Sequence, residues 1–282
     1  MKRTKVDFGY LQERKRSGEK ITMLTAYDFP TAKLLDEAGI ETILVGDSAS
    51  NVVLGYPDTV PVSLDELLVL VRAVRRGVKH AMLIGDMPFG SYNVSTEQAI
   101  ANGVRFMKEG GCEAVKLEGG GPMIPKIKAM TDAGIPMVGH LGLTPQTASL
   151  IGGYKVQGNT AKKAQAIIDD AKAIAAAGAI MLVLECVPGR VGGIIAKEIG
   201  IPVIGIGAGV EVDGQVLVLH DMLGFNLSFA PKFLKTYARL GPKITRAAKQ
   251  YIAEVKAKKF PDDAHSFNIN DTEFGKLYGG NA

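Results

Sequence analysis

Cysteine and long apolar runs are both scarce in this sequence of 282 residues. Its two cysteines, Cys112 and Cys186, are too few for a disulfide framework and too far apart for a CxxC metal site, which favours a reducing compartment. The most apolar stretch, AIAAAGAIMLVLECV, is interrupted by Gly178 and Glu185 and is shorter than the roughly 20 residues that a membrane-spanning helix needs. The basic start MKRTKVDFGYLQ leads into no apolar segment of the secretory type. We therefore expect a cytoplasmic protein that does not cross a membrane.

A strong excess of charge and an internal linker are also missing. The formal net charge is a modest +4, and the basic clusters near the N-terminal end and in the last third are not interleaved with aromatic residues, which argues against nucleic-acid binding. No Pro- or Ser-rich segment and no shift in composition marks a domain boundary. The prediction is a single domain over residues 1–282, with a loosely ordered tail after about residue 267.

One pattern recurs along the chain: a helix-like stretch ends in glycine, a short apolar run follows, and a polar or small residue ends the run. Glycine just past a helix that leads into a buried strand is typical of βα units. About eight such units predict a parallel (β/α)8 barrel, with a doubly wound open sheet as the alternative. The stretches are DEAGIETILVGDS, RRGVKHAMLIGDMP, KEGGCEAVKLEGG, TDAGIPMVGHLG, AAAGAIMLVLECV and KEIGIPVIGIGAG, with KITMLTAYD and GQVLVLHD as outer members.

Polar and ionisable side chains stand where several of these predicted strands end. In (β/α)8 barrels the catalytic groups lie at the C-terminal ends of the strands, so these side chains are expected to converge. Any one of them alone is explained as well by a helix cap, a buried structural group or a solvated charge, but together they predict a functional site. The residues are Asp47 and Ser48 after TILVG, Asp86 after AMLIG, Lys116 and Glu118 in AVKLE, His140 in PMVGH, and Glu185 in IMLVLE.

The residue types indicate the chemistry. Asp47, Asp86 and Glu118 offer hard oxygen ligands without a matching set of His or Cys, which favours Mg²⁺ over zinc. Lys116 precedes Glu118 by two positions on one strand, so both face the same way and the lysine can meet a substrate carboxylate or a developing oxyanion. Glu185 is the candidate general base. The set predicts proton abstraction next to a carbonyl, with a metal that stabilises the enolate.

Two glycine-rich segments carry weaker signals. The segment IGIGAGVEVDGQ lacks the full GxGxxG spacing of a dinucleotide-binding loop, so its glycines more simply allow a ligand to approach the backbone. The segment GGYKVQG is typical of a surface loop that closes over a ligand, or of a plain connection.

At these residues the sequence resembles the ketopantoate hydroxymethyltransferase family. The resemblance extends in order from about residue 21 to 267 and covers nearly the whole chain. It rests on the stretches ITMLTAYD, VGDS, VLGYPDTVPV, AVRRG, GDMPFGSY, VKLEGG, GHLGLTPQ, GGYKVQG, LVLECVP, IPVIGIGAG, DGQVLVLHD and AHSF.

The resemblance implies a (β/α)8 TIM barrel of the phosphoenolpyruvate/pyruvate-binding type, assembled as a homodecamer. It implies transfer of a hydroxymethyl group from 5,10-methylenetetrahydrofolate to 3-methyl-2-oxobutanoate, which gives 2-dehydropantoate on the way to pantothenate and coenzyme A. One Mg²⁺ per subunit is expected. The implied site roles are Mg²⁺ binding by Asp47, Asp86 and Glu118, contact with the keto acid by Asp47, Ser48, Asp86 and Lys116, proton abstraction by Glu185, and a polar role near the keto acid for His140.

One departure from the family pattern follows VGDS, where the family commonly continues with Leu-Gly and this chain has Ala49 and Ser50. Serine lacks the freedom of glycine for positive φ, so the shape of this loop is open. Two other functions stay open as well. A Mg²⁺-dependent lyase or aldolase for oxo acids would use the same carboxylates without folate, and a barrel without catalytic activity would only bind ligands.

Overall fold

The computed structural model describes residues 3–150, 152–225 and 231–277. Within these ranges eight parallel strands pair in sequence order, and the last also pairs with the first, so the sheet closes into a barrel. This closure confirms the (β/α)8 prediction and excludes the open doubly wound sheet. The strands are β1 Ile21–Thr25, β2 Thr42–Val45, β3 Met82–Asp86, β4 Ala114–Glu118, β5 Met137–Gly142, β6 Met181–Glu185, β7 Val203–Ile206 and β8 Gly214–Leu217.

Helices alternate with the strands. Gly39 directly follows the second helix with φ of 102°, a conformation that glycine adopts without strain, which confirms the predicted helix-stop role of that glycine. The helices are α1 Phe8–Ser17, α2 Phe29–Ala38, α3 Ala49–Val52, α4 Leu64–Gly77, α5 Thr96–Lys108, α6 Ile124–Asp132, α7 Ala161–Ala176, α8 Gly189–Glu198, α9 Leu219–Met222, α10 Leu240–Lys256 and α11 Asp271–Leu277, with 3₁₀ turns at Gly121–Met123, Pro145–Thr147 and Asp263–His265.

Apolar side chains on alternate strand positions form two cores. One set faces outward and packs against the helices, as with Ile43 and Leu83, which explains why the strands read as continuous apolar runs. The other set fills the barrel interior, as with Ile84 and Val183. Because side chains alternate along a strand, Asp86 shares the inward face with Ile84, two residues away. The apolar interior therefore supports a polar layer at the C-terminal ends of the strands.

The chain divides into two compact units. The first comprises Met1–Met222 and Ala230–Lys235 and contains the whole barrel, whereas the second comprises Leu223–Phe229 and Thr236–Ala282 and contains α10 and α11. The single-domain prediction for residues 1–282 stays a prediction. Of the predicted tail, Asp271–Leu277 forms α11, and residues 278–282 lie outside the described residues. In the described ranges, no helix combines the length and the apolar character needed to cross a membrane.

Asp36 connects α2 to the segment that enters β3. It is 2% exposed, and its Oδ1 accepts hydrogen bonds from the backbone N–H groups of His80 at 2.9 Å and Ala81 at 2.7 Å. Its Oδ2 lies 3.0 Å from His80 Nδ1. Burial alone would raise the pKa of Asp36, but these hydrogen bonds outweigh burial and hold its pKa below the ordinary value. The ionised carboxylate therefore contributes to stability.

The substitution Asp36→Asn is expected to lower the free energy of unfolding by about 2 kcal/mol near neutral pH, because an amide offers one acceptor oxygen instead of two. The folded pKa lies below the unfolded value of about 4, so this stability is complete above the unfolded pKa and is lost as pH falls through the folded pKa. Urea denaturation at a series of pH values checks this, with the exposed Asp132→Asn as control. A difference from wild type that persists unchanged down to about pH 3 would contradict this role.

Candidate functional site

The polar layer at the barrel mouth contains all of the residues predicted for the site. Strand register sets Asp86 beside Lys116 and Glu118 beside His140. Asp47 follows the end of β2 and reaches this layer from the next loop. The five side chains that are almost fully buried here are Asp47, Asp86, Lys116, Glu118 and His140. Ser48 and Glu185 are half-buried at the edge of the layer.

An unbroken series of short contacts links these groups from β2 to β6. The backbone N–H of Asp47 donates to Asp86 Oδ2 at 3.2 Å. Lys116 Nζ lies 2.5 Å from Asp86 Oδ1 and 3.8 Å from Glu118 Oε1. His140 then continues the series, with Nδ1 3.1 Å from Glu118 Oε1 and Nε2 3.3 Å from Glu185 Oε2. Six of the seven sequence-predicted residues thus form one connected cluster, and Ser48 adjoins it as the chain neighbour of Asp47.

Burial and charge act against each other at Lys116. Burial lowers the pKa of its ammonium group, but the carboxylates of Asp86, Glu118 and Asp47 outweigh burial and raise the pKa above the ordinary value. Lys116 therefore remains a fixed cation at the centre of the cluster. For Asp47, burial and the neighbouring charges of Asp86 and Glu118 raise the pKa well above the ordinary value. The cluster carries more negative than positive charge around Asp47.

His140 connects the central carboxylates to Glu185. Burial and the nearby Lys116 charge lower the pKa of His140, but the Glu118 carboxylate and the contacts with Glu118 and Glu185 raise it to about 9. A protonated imidazole has two N–H donors, which matches a ring placed between two carboxylates. Conversely, burial alone would raise the pKa of Glu118, but His140 outweighs it and holds that pKa below its ordinary value. The His140 ring therefore stands between the carboxylates of Glu118 and Glu185.

Two tyrosines and one glutamine that the strand-end pattern does not predict also reach the site. The Tyr27 hydroxyl lies 2.7 Å from Ser48 Oγ, so Tyr27 fixes the position of that serine. Gln146 Nε2 donates to Asp47 Oδ2 at 3.0 Å, and the Tyr92 hydroxyl donates to Gln146 Oε1 at 2.7 Å. The signal was available, because all three lie in stretches that carry the family resemblance: TAYD, GDMPFGSY and GHLGLTPQ.

The backbone turns sharply after Glu185. Cys186 has φ of 50°, which is uncommon for a residue with a side chain and costs free energy that the surrounding structure must supply. The carbonyl oxygen of Cys186 accepts a hydrogen bond from the backbone N–H of Gln157 at 2.9 Å. Gln157 belongs to the segment GGYKVQG, in which burial and the charges of Asp58 and Asp47 raise the pKa of Tyr154. This segment is therefore attached to the end of β6 and lies near the site.

The loop in which Ala49 and Ser50 depart from the family pattern has ordinary backbone geometry. Ser50 lies within helix α3, where serine needs no positive φ. It is fully buried, and its hydroxyl donates to the carbonyl oxygen of Asp58 at 2.6 Å. The substitution of serine for glycine at this position therefore leaves the backbone of Asp47 and Ser48 unstrained.

The donor set of Asp47, Asp86 and Glu118 suits a hard cation in its chemistry, although most of its oxygens already have protein partners. In the described ranges, no group of three or more His, Cys, Asp or Glu side chains is placed to hold a metal ion. Glu118 Oε1 faces His140 and Glu118 Oε2 accepts from the backbone N–H of Gln146. The excess of carboxylate charge around Asp47 and Asp86 is what a divalent cation would neutralise. The Mg²⁺ prediction for Asp47, Asp86 and Glu118 stays a prediction.

Comparison with protein families gives a match over most of the chain. A family model described as ketopantoate hydroxymethyltransferase matches residues 5–263. The chain is 51% identical over 278 residues to the 3-methyl-2-oxobutanoate hydroxymethyltransferase of Geobacillus kaustophilus (strain HTA426), an alignment that covers 99% of each chain. It is 52% identical to the protein of the same name from Clostridium botulinum (strain Alaska E43 / Type E3), over 95% of this chain and 97% of that one.

Solved structures with the same fold are much less similar in sequence. Phosphonopyruvate hydrolase in complex with oxalate and Mg²⁺ matches with a TM-score of 0.59 at 16% identity, over 96% of this chain and 94% of that one. The 2,3-dimethylmalate lyase, described as a member of the PEP mutase/isocitrate lyase superfamily, matches with a TM-score of 0.57 at 13% identity, over 96% and 94%. At these identities the likeness shows the barrel fold alone.

Proposed function

The chain belongs to the ketopantoate hydroxymethyltransferase family, and on that premise we propose that it transfers a hydroxymethyl group from 5,10-methylenetetrahydrofolate to 3-methyl-2-oxobutanoate, giving 2-dehydropantoate for pantothenate synthesis. The observation that carries the proposal is the connected cluster from Asp47 to Glu185 at the barrel mouth. Such a cluster supplies a base, a fixed cation and oxygen ligands within one layer, which is what proton abstraction next to a carbonyl requires.

Glu185 is the proposed proton acceptor. Its side chain is 15% exposed, so it is open enough to meet a substrate while His140 Nε2 lies 3.3 Å from its Oε2. In the proposed reaction Glu185 removes the proton from C3 of the keto acid, and the electron pair of the C–H bond becomes that of the enolate. His140 lies between this carboxylate and that of Glu118.

The keto acid is proposed to lie against Asp47, Ser48, Asp86 and Lys116. Lys116 is buried, cationic and held at 2.5 Å by Asp86, so it can attract the substrate carboxylate and the developing oxyanion without a change of position. Ser48 is fixed by Tyr27 and offers a hydroxyl at the edge of the same layer. Preorganised groups of this kind favour the transition state more than the free substrate.

Asp47, Asp86 and Glu118 are the residues that would hold Mg²⁺, proposed at one ion per subunit. Bound there, the ion would polarise the keto oxygen and neutralise the developing enolate charge. The folate is a substrate: the enolate carbon forms a bond to its one-carbon unit, and the two bonds from that unit to the folate nitrogens break. The nitrogens take up the C3 proton and one proton of a water molecule, and the folate leaves as tetrahydrofolate. Water supplies the oxygen of the new hydroxymethyl group, so the atoms of 5,10-methylenetetrahydrofolate, keto acid and water are all accounted for in the two products.

The test is reconstitution with purified protein, 3-methyl-2-oxobutanoate, 5,10-methylenetetrahydrofolate and Mg²⁺, with mass-spectrometric detection of 2-dehydropantoate. The expected result is product that disappears when either the folate or the metal is omitted. Conversion of an oxo acid without folate would instead support a lyase or aldolase. Keto-acid binding without any turnover would support a ligand-binding barrel.

The location and assembly of the protein are also proposals. A cytoplasmic location is supported by the unpaired state of Cys112 and Cys186. A homodecamer is proposed from the family resemblance. Light scattering during size-exclusion chromatography should then give about ten times the chain mass of 29.9 kDa. A mass equal to one chain would contradict it.

A further inference from the structure

Gln146 lies in the 3₁₀ turn after β5, and its side chain is buried beside Asp47. Its Nε2 donates to Asp47 Oδ2 and to the carbonyl oxygen of Met87, each at 3.0 Å. Its Oε1 accepts from the hydroxyl of Tyr92 at 2.7 Å. Each polar atom of this carboxamide therefore has a protein partner, and those partners lie in two loops: Asp47 in the loop after β2, and Met87 and Tyr92 in the loop after β3.

The surrounding groups allow only one orientation of this carboxamide. The carbonyl oxygen of Met87 can only accept, so Nε2 must face it, and the same Nε2 lies 3.0 Å from Asp47 Oδ2. A flipped amide would set its oxygen against the carbonyl oxygen of Met87. Tyr92, which is 1% exposed, donates its one hydroxyl proton to Gln146, while its oxygen accepts the backbone N–H of Glu118 at 3.3 Å. Tyr92 and Met87 therefore lock the amide.

Gln146 also contacts the second carboxylate of the cluster. Its backbone N–H donates to Glu118 Oε2 at 3.1 Å. One residue thus holds Asp47 through its side chain and Glu118 through its main chain. On Asp47 the contact occupies Oδ2, whereas Oδ1 accepts no hydrogen bond from the described residues. The bond to Oδ2 fixes the rotation of the carboxylate and leaves the other oxygen available for a ligand.

We propose that Gln146, oriented by Tyr92, is a positioning residue that presents one oxygen of Asp47 to a divalent cation. The inference rests on the proposed function for the identity of the cation and the keto acid. Gln146 itself touches neither the substrate nor the cation in this role and acts through Asp47. Hydrogen-bond partners of ligating side chains commonly change metal affinity by about tenfold or more when they are removed.

The experiment measures Mn²⁺ binding by electron paramagnetic resonance in the presence of 3-methyl-2-oxobutanoate, which needs no turnover. Gln146→Met keeps the length of the side chain but removes its donors and acceptor, and is expected to raise the Mn²⁺ dissociation constant about tenfold. Tyr92→Phe removes only the hydroxyl and is expected to raise it about fivefold, as for one lost hydrogen bond. The double variant should bind no more weakly than Gln146→Met alone, because Tyr92 acts through Gln146.

The matched control is Gln165→Met on α7, where an exposed glutamine also donates to an aspartate, Asp169, at 2.8 Å. It should leave Mn²⁺ binding unchanged. A purely structural role for Gln146 would lower the melting temperature without moving the dissociation constant. Wild-type affinity in Gln146→Met overturns the proposal, and so does a wild-type protein that binds no Mn²⁺. Where Gln146→Met fails to fold, unchanged affinity in Tyr92→Phe overturns it.

Failure of this inference and failure of the proposed function give different results. If wild-type protein binds Mn²⁺ more tightly than Gln146→Met but makes no 2-dehydropantoate, the positioning role stands and the proposed reaction is wrong. If wild-type protein makes product but Gln146→Met binds Mn²⁺ as tightly as wild type, the proposed reaction stands and the positioning role is wrong.

Discussion

Replacing Glu185 with glutamine is expected to lower kcat about a thousandfold while leaving keto-acid binding nearly unchanged. The substitution keeps the size of the side chain and its place beside His140, but an amide does not accept the C3 proton. General base catalysis of this kind contributes between about a hundredfold and ten-thousandfold to the rate. Glu185 contacts only His140 within the cluster, so the loss of its charge leaves the groups proposed to bind the keto acid in place.

Two measurements separate the proton step from the rest of the reaction. Isothermal titration gives the affinity for 3-methyl-2-oxobutanoate, and proton NMR in D₂O with Mg²⁺ but without folate follows exchange of the C3 proton. Both turnover and exchange should fall together in Glu185→Gln. The control is Glu198→Gln on α8, an exposed partner of Lys172 at 2.7 Å, which should behave as wild type. If the C3 proton exchanges in Glu185→Gln at the same rate as in wild type, another residue must be the base.

Replacing Lys116 with methionine is expected to lower the free energy of unfolding by about 3 to 5 kcal/mol in the absence of divalent cations, because it leaves buried carboxylates without their cation. Lys116 is 3% exposed and holds Asp86 at 2.5 Å and Glu118 at 3.8 Å. Methionine fills a similar volume, so the loss reports on charge rather than on a cavity. Urea denaturation measures the change.

A second substitution tests this electrostatic explanation. The double variant Lys116→Met with Asp86→Asn removes a carboxylate together with the cation and should be more stable than Lys116→Met alone. The control Lys128→Met removes an exposed lysine paired with Asp132 one turn away on α6, and should change stability by less than about 1 kcal/mol. Equal stability of Lys116→Met and wild type would show that the buried charges do not depend on this lysine.

Local sequence patterns were sufficient for the βα units and for most of the residues that line the barrel mouth. Glycine after a helix and an apolar run after that glycine mark six of the eight strands, and both signals lie within about a dozen residues. The alternation of side chains along a strand is enough to place Lys116 and Glu118 on one face. The strand-end rule then brought Asp86, His140 and Glu185 to the same mouth.

Local patterns did not indicate the residues that orient this cluster. Tyr27, Tyr92 and Gln146 lie in loops, where side-chain direction follows no period, and each meets a partner far away in sequence. The hydrogen bond from Gln146 to Asp47, for example, joins positions 99 residues apart. A buried polar side chain in a loop has the same sequence signature whether it supports a fold or a site.

The sequence by itself therefore determined the succession of βα units and the set of ionisable groups at the strand ends, because helix stops and apolar strand runs are local properties of the chain. Only the tertiary structure decided that the sheet closes into a barrel and how those groups are paired. It placed His140 between Glu118 and Glu185, set Lys116 against Asp86, and occupied one oxygen of Asp47 with Gln146. These side-chain pairings depend on distances of about 3 Å between strands and loops, where desolvation and charge decide the protonation of each group.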